Sequence, residues 1–169
     1  PAVTAALDDA FYLAFKSLEP TGKRLLFGVD VSGSMGSPCG GLPITCAEGA
    51  AAMALACAKS EQEYYIMGFS SEFRDLGISA KMTLNEALTR THDRNFGRTD
   101  CALPMLWAQH NKVKVDGFVI ITDNETWAGG IHPSQALRKY REWSGLPAKQ
   151  VVIGMTATPF TIVDPKDPG

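Results

Sequence analysis

Asp30-Val31-Ser32-Gly33-Ser34 places one carboxylate and two hydroxyls at alternate positions, directly after the apolar run Leu25-Leu26-Phe27-Gly28-Val29. All three side chains offer hard oxygen donors, which suit Mg²⁺, Mn²⁺ or Ca²⁺. An apolar run that feeds a small-residue, hydroxyl-rich loop reads as a buried parallel strand ending at a site. In open α/β sheets, ligands bind outside the carboxyl ends of the strands. Two further oxygens fit the same chemistry. Thr99 lies in Gly97-Arg98-Thr99-Asp100, and Asp123 ends the second strongly apolar run, Phe118-Val119-Ile120-Ile121-Thr122. DxSxS, a later threonine and a later strand-end aspartate are each common; in this order, on α/β-type segments, they form a specific combination.

Each residue also has an ordinary reading. Asp30, Ser32 and Ser34 are typical turn formers. Thr99 is a suitable N-cap for the helix that follows it, a role compatible with ligation. Asp123 reads as a carboxylate hydrogen-bonded to a metal-bound water. Asp100 reads as a cap or first-turn acid facing the helix dipole rather than as a ligand. Glu125 and Trp127 fall in a glycine-ended loop flanking the site. His92, His110 and His132 are scattered and form no ligand pair, so each reads as a solvated surface histidine. Arg138, Lys139 and Arg141 read as the solvated face of a helix.

The elements that must position these residues follow from periodicity. Leu7, Phe11, Phe15 and Leu18 recur at spacings of four, four and three, which predicts an amphipathic helix over 5–18, stopped by Pro20 and Gly22. A strand is predicted over 24–31, a loop over 32–45, and an alanine-rich helix near 45–60 that must pack closely on the sheet. Tyr64 to Phe69 reads as a strand, with a short edge strand at Phe73-Arg74-Asp75-Leu76. Thr83 and Glu86 form a capping box for a helix over 84–92. A turn over 93–98 precedes a helix near 101–111, where Pro104 is tolerable in the first turn. A strand over 117–122, a loop over 123–132, a helix from Pro133 to about 143 and a last strand over 151–155 complete the series. Strands alternating with helices give an α/β fold with an open, mostly parallel sheet and helices on both faces.

The chain has 169 residues, enough for one domain, and its net charge of −2 argues against broad electrostatic adhesion to nucleic acid by this segment alone. The uncharged stretch 49–58 falls far short of the ~20 residues needed to span a bilayer, no secretory signal opens the chain, and a membrane partner is not expected. Cys39, Cys46, Cys57 and Cys101 show no zinc-type spacing. Cys39 and Cys46 could bridge across their loop, but nothing else points to secretion, and free thiols in a reducing compartment are the favoured reading.

Asp30, Ser32, Ser34, Thr99 and Asp123 together resemble the metal-ion-dependent adhesion site (MIDAS) of a von Willebrand factor type A domain. The likeness extends to longer strings: Thr99-Asp100-Cys101-Ala102-Leu103-Pro104-Met105, Trp107-Ala108-Gln109, and Thr122-Asp123-Asn124-Glu125-Thr126-Trp127-Ala128-Gly129-Gly130. With Ala10-Phe11-Tyr12, Glu19–Arg24, Pro147-Ala148-Lys149 and Phe160–Pro165, these resemble the von Willebrand A domain of the Ro autoantigens (the TROVE-module family) over nearly the whole chain. The resemblance implies a Rossmann-like von Willebrand A fold over 24–169, preceded by an amphipathic helix and linker over 1–23. It implies a site for Mg²⁺, with Mn²⁺ or Ca²⁺ as alternatives, at the five residues named. Ro proteins bind small noncoding Y RNAs and the ends of misfolded RNAs. In that family a ring of helical repeats binds the RNA, and the A domain joins the ring's ends.

Three departures qualify the transfer. The helical-repeat ring is absent from this chain, so RNA binding is carried over to none of its residues. The chain stops at Gly169, before the final strand and helix such a domain usually has; either residues 5–18 partly cover the sheet left exposed there, or those parts lie outside this segment. Arg98 stands where the family tends to have glycine, and a cation there lowers metal affinity unless its side chain turns outward. The expectation is a monomeric, cytoplasmic or also nuclear, metal-dependent binding module of a ribonucleoprotein. Noncoding RNA would be held by the absent ring and a protein ligand's carboxylate by the metal. A stand-alone metal-dependent protein adhesion domain is the alternative. A metallohydrolase is disfavoured, because the chain lacks a GxSxG elbow and no histidine neighbours the site residues in sequence.

Overall fold

Leu25–Asp30, Tyr64–Phe69 and Gly117–Thr122 are nearly uninterrupted apolar runs, and in the computed structural model they become β1, β2 and β4 of one sheet. The structure describes residues 2–70, 72–92, 99–123, 129–157, 162–164 and 166–167. The strand order is β3-β2-β1-β4-β5, with β3 at Phe73–Asp75 and β5 at Lys149–Gly154. β1 pairs in parallel with β2 and β4, β4 pairs in parallel with β5, and only the short edge strand β3 is antiparallel. The chain leaves β1 toward β2 on one side and returns to β4 on the other. The carboxyl ends of β1 and β4 therefore flank the point where strand order reverses, the place where open α/β sheets hold ligands.

Alternation along β1 serves both faces. Phe27 and Val29 join Ile66 and Ile121 beneath α2 (Cys46–Ser60), whose Ala47, Ala50, Ala51, Ala54 and Ala58 allow close approach. Leu26 joins Met67, Phe69, Phe118 and Ile120 beneath α4 (Leu103–His110) and α5 (Pro133–Ser144). Gly28 sits where α4 crosses β1: a Cβ there would fall 2.7 Å from Pro104 Cγ, so a bare backbone is what lets the start of α4 reach the strand. Thr45 and Thr83 head α2 and α3 (Leu84–Thr91), each with a reciprocal capping box, to Glu48 and Glu86. Gly145, at a φ of 71°, ends α5 in the left-handed conformation.

The observed bounds differ from the expected ones for local reasons. α1 spans Ala2–Ala14 and tightens into a 3₁₀ turn at Phe15–Ser17. Its Tyr12 hydroxyl accepts from Leu84 N–H at 3.0 Å, and Lys59 Nζ lies 5.2 Å from the Tyr12 ring centroid, so these contacts of α1 reach α2 and α3. α4 begins at Leu103, because Asp100 and Ala102 are engaged in the turn before it. β5 starts at Lys149, whose N–H donates to Asp116 C=O at 2.9 Å. The four cysteines are free and buried. Among the described residues no helix is long and apolar enough to cross a membrane.

Asp116 ties the start of β1 to the start of β4. It accepts from Arg24 Nη2 at 2.7 Å, from Arg24 Nε at 3.0 Å and from the Arg24 backbone N–H at 3.0 Å. The Arg24 guanidinium holds the Asp116 carboxyl down at about 2. A depressed carboxyl stabilises the fold above its unfolded value, near 4, and that contribution disappears as pH falls toward 2. The pair is partly solvated, so Asp116→Asn should cost about 1 kcal/mol at pH 7 after allowing for screening. The difference from wild type should shrink between pH 4 and pH 2, as read by urea melts across that range.

Candidate metal centre

Ser32 and Ser34 follow β1 in a tight turn that becomes a 3₁₀ helix at Gly33–Gly36. Asp30 organises that turn: its Oδ1 accepts from Ser32 N–H at 2.9 Å. The other carboxyl oxygen, Oδ2, accepts from Thr122 Oγ1 at 2.7 Å. Thr122 is the last residue of β4, one step beyond the paired Val29 and Ile121, so the bond crosses between neighbouring strand ends. The hydroxyls of Ser32 and Ser34 lie 3.0 Å apart. Two hydroxyl oxygens and a fixed carboxylate thus share one side of the sheet rim.

Asp123 follows Thr122, is 1% exposed like Asp30, and its backbone C=O accepts from Thr156 Oγ1. Burial pushes the Asp30 carboxyl up from its usual range; hydrogen bonds from Ser32 and Thr122 pull it back, and the negative charge of Asp123 raises it further. Thr99 is also 1% exposed, and its Oγ1 is a buried atom with no hydrogen-bond partner among the described residues. A buried hydroxyl left in that state costs about 1–3 kcal/mol unless something else satisfies it. Thr99 does not cap α4: the capping position is Ala102, and no side-chain cap bond is made there. The structure therefore joins Asp30, Ser32 and Ser34 directly, sets Asp123 within electrostatic reach of Asp30, and buries Thr99 on the turn leading to α4.

This donor set matches a hard divalent ion in kind, with two carboxylates and three hydroxyls and no soft ligand. Among the described residues no group of three or more His, Cys, Asp or Glu is gathered as a metal cluster. An ion here would therefore be held mainly by hydroxyls and water, a mode that suits Mg²⁺, which keeps several waters.

Thr122 and Thr156 are the side chains bonded to the candidate site's aspartates that sequence reasoning missed. Thr122 read as one more β-branched strand residue, and Thr156 lies beyond the last strand. A hydroxyl directly before a strand-end aspartate was the available signal for the first. His132, expected to be solvated, instead caps α5: its Nδ1 lies 2.8 Å from Ser134 Oγ and accepts from Ser134 N–H at 3.3 Å. Arg138 and Arg141, expected to be merely solvated, pair with Asp164 at 3.4 Å and Asp167 at 2.6 Å and strap those two residues to α5. Arg98, Glu125, Trp127 and the turn over 93–98 lie outside the described residues.

A family profile described as "Ro60 vWA domain" matches residues 24–169. "RNA-binding protein RO60" of Deinococcus radiodurans is 46% identical over 170 residues, covering 98% of this chain and 32% of that protein. The Caenorhabditis elegans protein of the same name is 43% identical over 165 residues, covering 97% of this chain and 26% of that protein. This chain thus spans about a third or less of these relatives. The crystal structure of the Deinococcus radiodurans Ro (Rsr) protein superposes with a TM-score of 0.91 at 45% identity, over 98% of this chain and 34% of that one. An aerotolerance-related membrane protein from Bacteroides fragilis shares the fold alone, with a TM-score of 0.51 at 16% identity over 76% of this chain and 66% of that one. With its α/β sheet, its strand-end aspartates and a match over 24–169, the chain belongs to the Ro60 von Willebrand A domain family.

Proposed function

We propose that this chain is the metal-dependent binding module of a Ro-type ribonucleoprotein. Asp30, Ser32, Ser34 and Thr99 would hold a divalent cation, Mg²⁺ in the first instance and Mn²⁺ or Ca²⁺ otherwise, and Asp123 would act on it through water. The observation that carries this reading is the Thr99 hydroxyl, buried without a partner among the described residues on the turn that leads to α4, in a chain that also sets the Ser32 and Ser34 hydroxyls 3.0 Å apart beyond β1. The ion would supply Lewis acidity toward an external oxygen ligand. The chain's own residues do the rest: Thr122 orients the Asp30 carboxylate, Asp30 shapes the turn that presents both serines, and Thr156 anchors the Asp123 backbone.

Two relatives are named as RNA-binding proteins, and we extend that role to the whole protein of which this domain is part, with small noncoding and misfolded RNAs as its RNA class. RNA is held by regions outside this chain, because a net charge of −2 releases few counterions. An ion held by these residues would supply Lewis acidity toward a carboxylate of a protein partner, and the domain acts as a cytoplasmic monomer. It is not an enzyme, since hydrolysis at the metal would need a positioned base in reach.

The test is a titration of Mn²⁺-loaded protein with a short acidic peptide, followed by water-proton relaxation. The peptide should displace metal-bound water in wild type, the same peptide with amidated acids should not, and no nucleotide or phosphodiester should be hydrolysed. Metal-stimulated turnover that vanishes in both Asp30→Ala and Asp123→Ala would overturn the binding-module reading.

A further inference from the structure

Asp100 stands next to this site without being one of its assigned oxygens. Its Oδ1 accepts from Ala102 N–H at 2.9 Å, and its backbone C=O accepts from Leu103 N–H at 3.3 Å, so it folds the turn between Thr99 and α4. Its carboxyl group is also pressed against Gly129. A Cβ built on Gly129 would fall 2.6 Å from Asp100 Oδ2 and 2.7 Å from its Cγ and Oδ1. Gly129 has a φ of 136°, a conformation side-chain-bearing residues rarely adopt. Backbone and carboxyl therefore meet at a distance that only glycine permits. Thr99 precedes Asp100, and Gly129 lies on the connection that leaves Asp123 for α5, so the contact joins the two loops that carry those residues. The buried thiol of Cys101 marks the same neighbourhood. Burial raises it to about 12, and the charges of Asp30, Asp100 and Asp123 all add to the rise.

We propose that Asp100 is a positioning residue of the metal centre: seated against Gly129, its carboxyl sets the turn that presents the Thr99 hydroxyl. The inference rests on the reading of Asp30, Ser32, Ser34, Thr99 and Asp123 as a metal centre. It assigns to Asp100 the space its carboxyl fills and the hydrogen bond it accepts, rather than its charge. Asparagine can do both, because its Oδ1 still accepts from Ala102 N–H and its amide has the same shape. Alanine can do neither.

Mn²⁺ calorimetry on wild type, Asp100→Ala, Asp100→Asn, Gly129→Ala and the Asp100→Ala/Gly129→Ala pair tests this, alongside melting of the metal-free proteins. Asp100→Ala should weaken Mn²⁺ binding about tenfold or more, the range seen when a residue supporting metal ligands is lost. Asp100→Asn should restore affinity to near wild type, a rescue that a general loss of stability does not give. Gly129→Ala should also weaken binding, through the clash and the φ of 136° together, and the loss in the double variant should be smaller than the sum of the two single losses, because the added methyl then enters the space the carboxyl vacated. Wild-type affinity in Asp100→Ala, an Asp100→Asn as weak as Asp100→Ala, or additive losses in the pair would each overturn this inference alone. A wild type that binds no Mn²⁺ would overturn the metal-centre reading, and this inference with it. Should Asp100→Ala fail to fold, Asp100→Asn against Gly129→Ala decides: binding retained in the first and weakened in the second supports the proposal, and any other result overturns it.

Discussion

Asp30→Ala is expected to abolish divalent-ion binding, an effect larger than the roughly 10–100-fold that losing a ligand's neighbour costs. Three losses coincide in that substitution. The carboxylate oxygen offered to the metal disappears, the Ser32 N–H loses the acceptor that shapes the DxSxS turn, and the Thr122 hydroxyl loses its partner. The metal-free variant should lose some stability, because the buried Ser32 N–H loses its acceptor, a loss partly offset by removing a carboxyl that burial and Asp123 push up. The distinguishing signature is linkage. Wild type should gain stability as Mg²⁺ rises, by about 2.7 kcal/mol when the ion reaches 100 times its dissociation constant, and Asp30→Ala should gain none. Calorimetry and melting in a Mg²⁺ series read both quantities; an unchanged Mg²⁺ response in the variant would remove Asp30 from the site.

Tyr140→Ala carries the largest expected loss of stability. Tyr140 is fully buried on α5, and its ring meets Phe118 of β4 edge-on at a centroid distance of 4.8 Å. Its hydroxyl accepts from Val115 N–H at 2.7 Å and lies 3.1 Å from the Val113 carbonyl oxygen, tying the chain entering β4 to the helix above it. Truncation leaves a cavity and an orphaned amide together, so a loss of about 4 kcal/mol is expected. Tyr140→Phe isolates the polar part and should cost about 1–3 kcal/mol, because Val115 N–H is then buried without its acceptor. Urea unfolding of both variants gives the two figures. A Tyr140→Ala loss smaller than that of Tyr140→Phe would mean that the cavity relaxes fully and that packing there contributes little.

The parts of this protein that could be read in advance are those where one physical requirement dominates a segment. Uninterrupted apolar runs had to be strands buried on both faces, and β1, β2 and β4 lie where those runs lie. Thr83 with Glu86 could only be a helix start, and Pro133 and Gly145 bracket α5 as their backbone preferences demand. Boundaries shifted where one particular hydrogen bond took over. Lys149 joined β5 because Asp116 offered a carbonyl, and α4 lost its first residues to the turn around Asp100. Within the site, the backbone order exposed Asp30, Ser32 and Ser34 as neighbours, and the strand-end rule marked Asp123. What sequence could not disclose was any arrangement that depends on two distant segments meeting. The Thr122 bond to Asp30 spans 92 residues, and the Arg141–Asp167 strap is equally silent in composition. Gly129 is the sharpest case: besides its own φ of 136°, it must be glycine because its backbone meets the carboxyl of Asp100, 29 positions earlier, and sequence shows neither.

The account's central claim, that these oxygens form a divalent-metal centre with a position open to an external ligand, is tested most directly by an anomalous-difference map from crystals soaked in Mn²⁺. One strong peak is expected beyond the ends of β1 and β4, at coordination distance from the Asp30 carboxylate and the Ser32, Ser34 and Thr99 hydroxyls, near the ~2.1 Å usual for small hard cations. Asp123 should be joined to it through water, and one position should be filled by water or a neighbouring carboxylate. A peak elsewhere, or none at a Mn²⁺ concentration that saturates binding in solution, would contradict it.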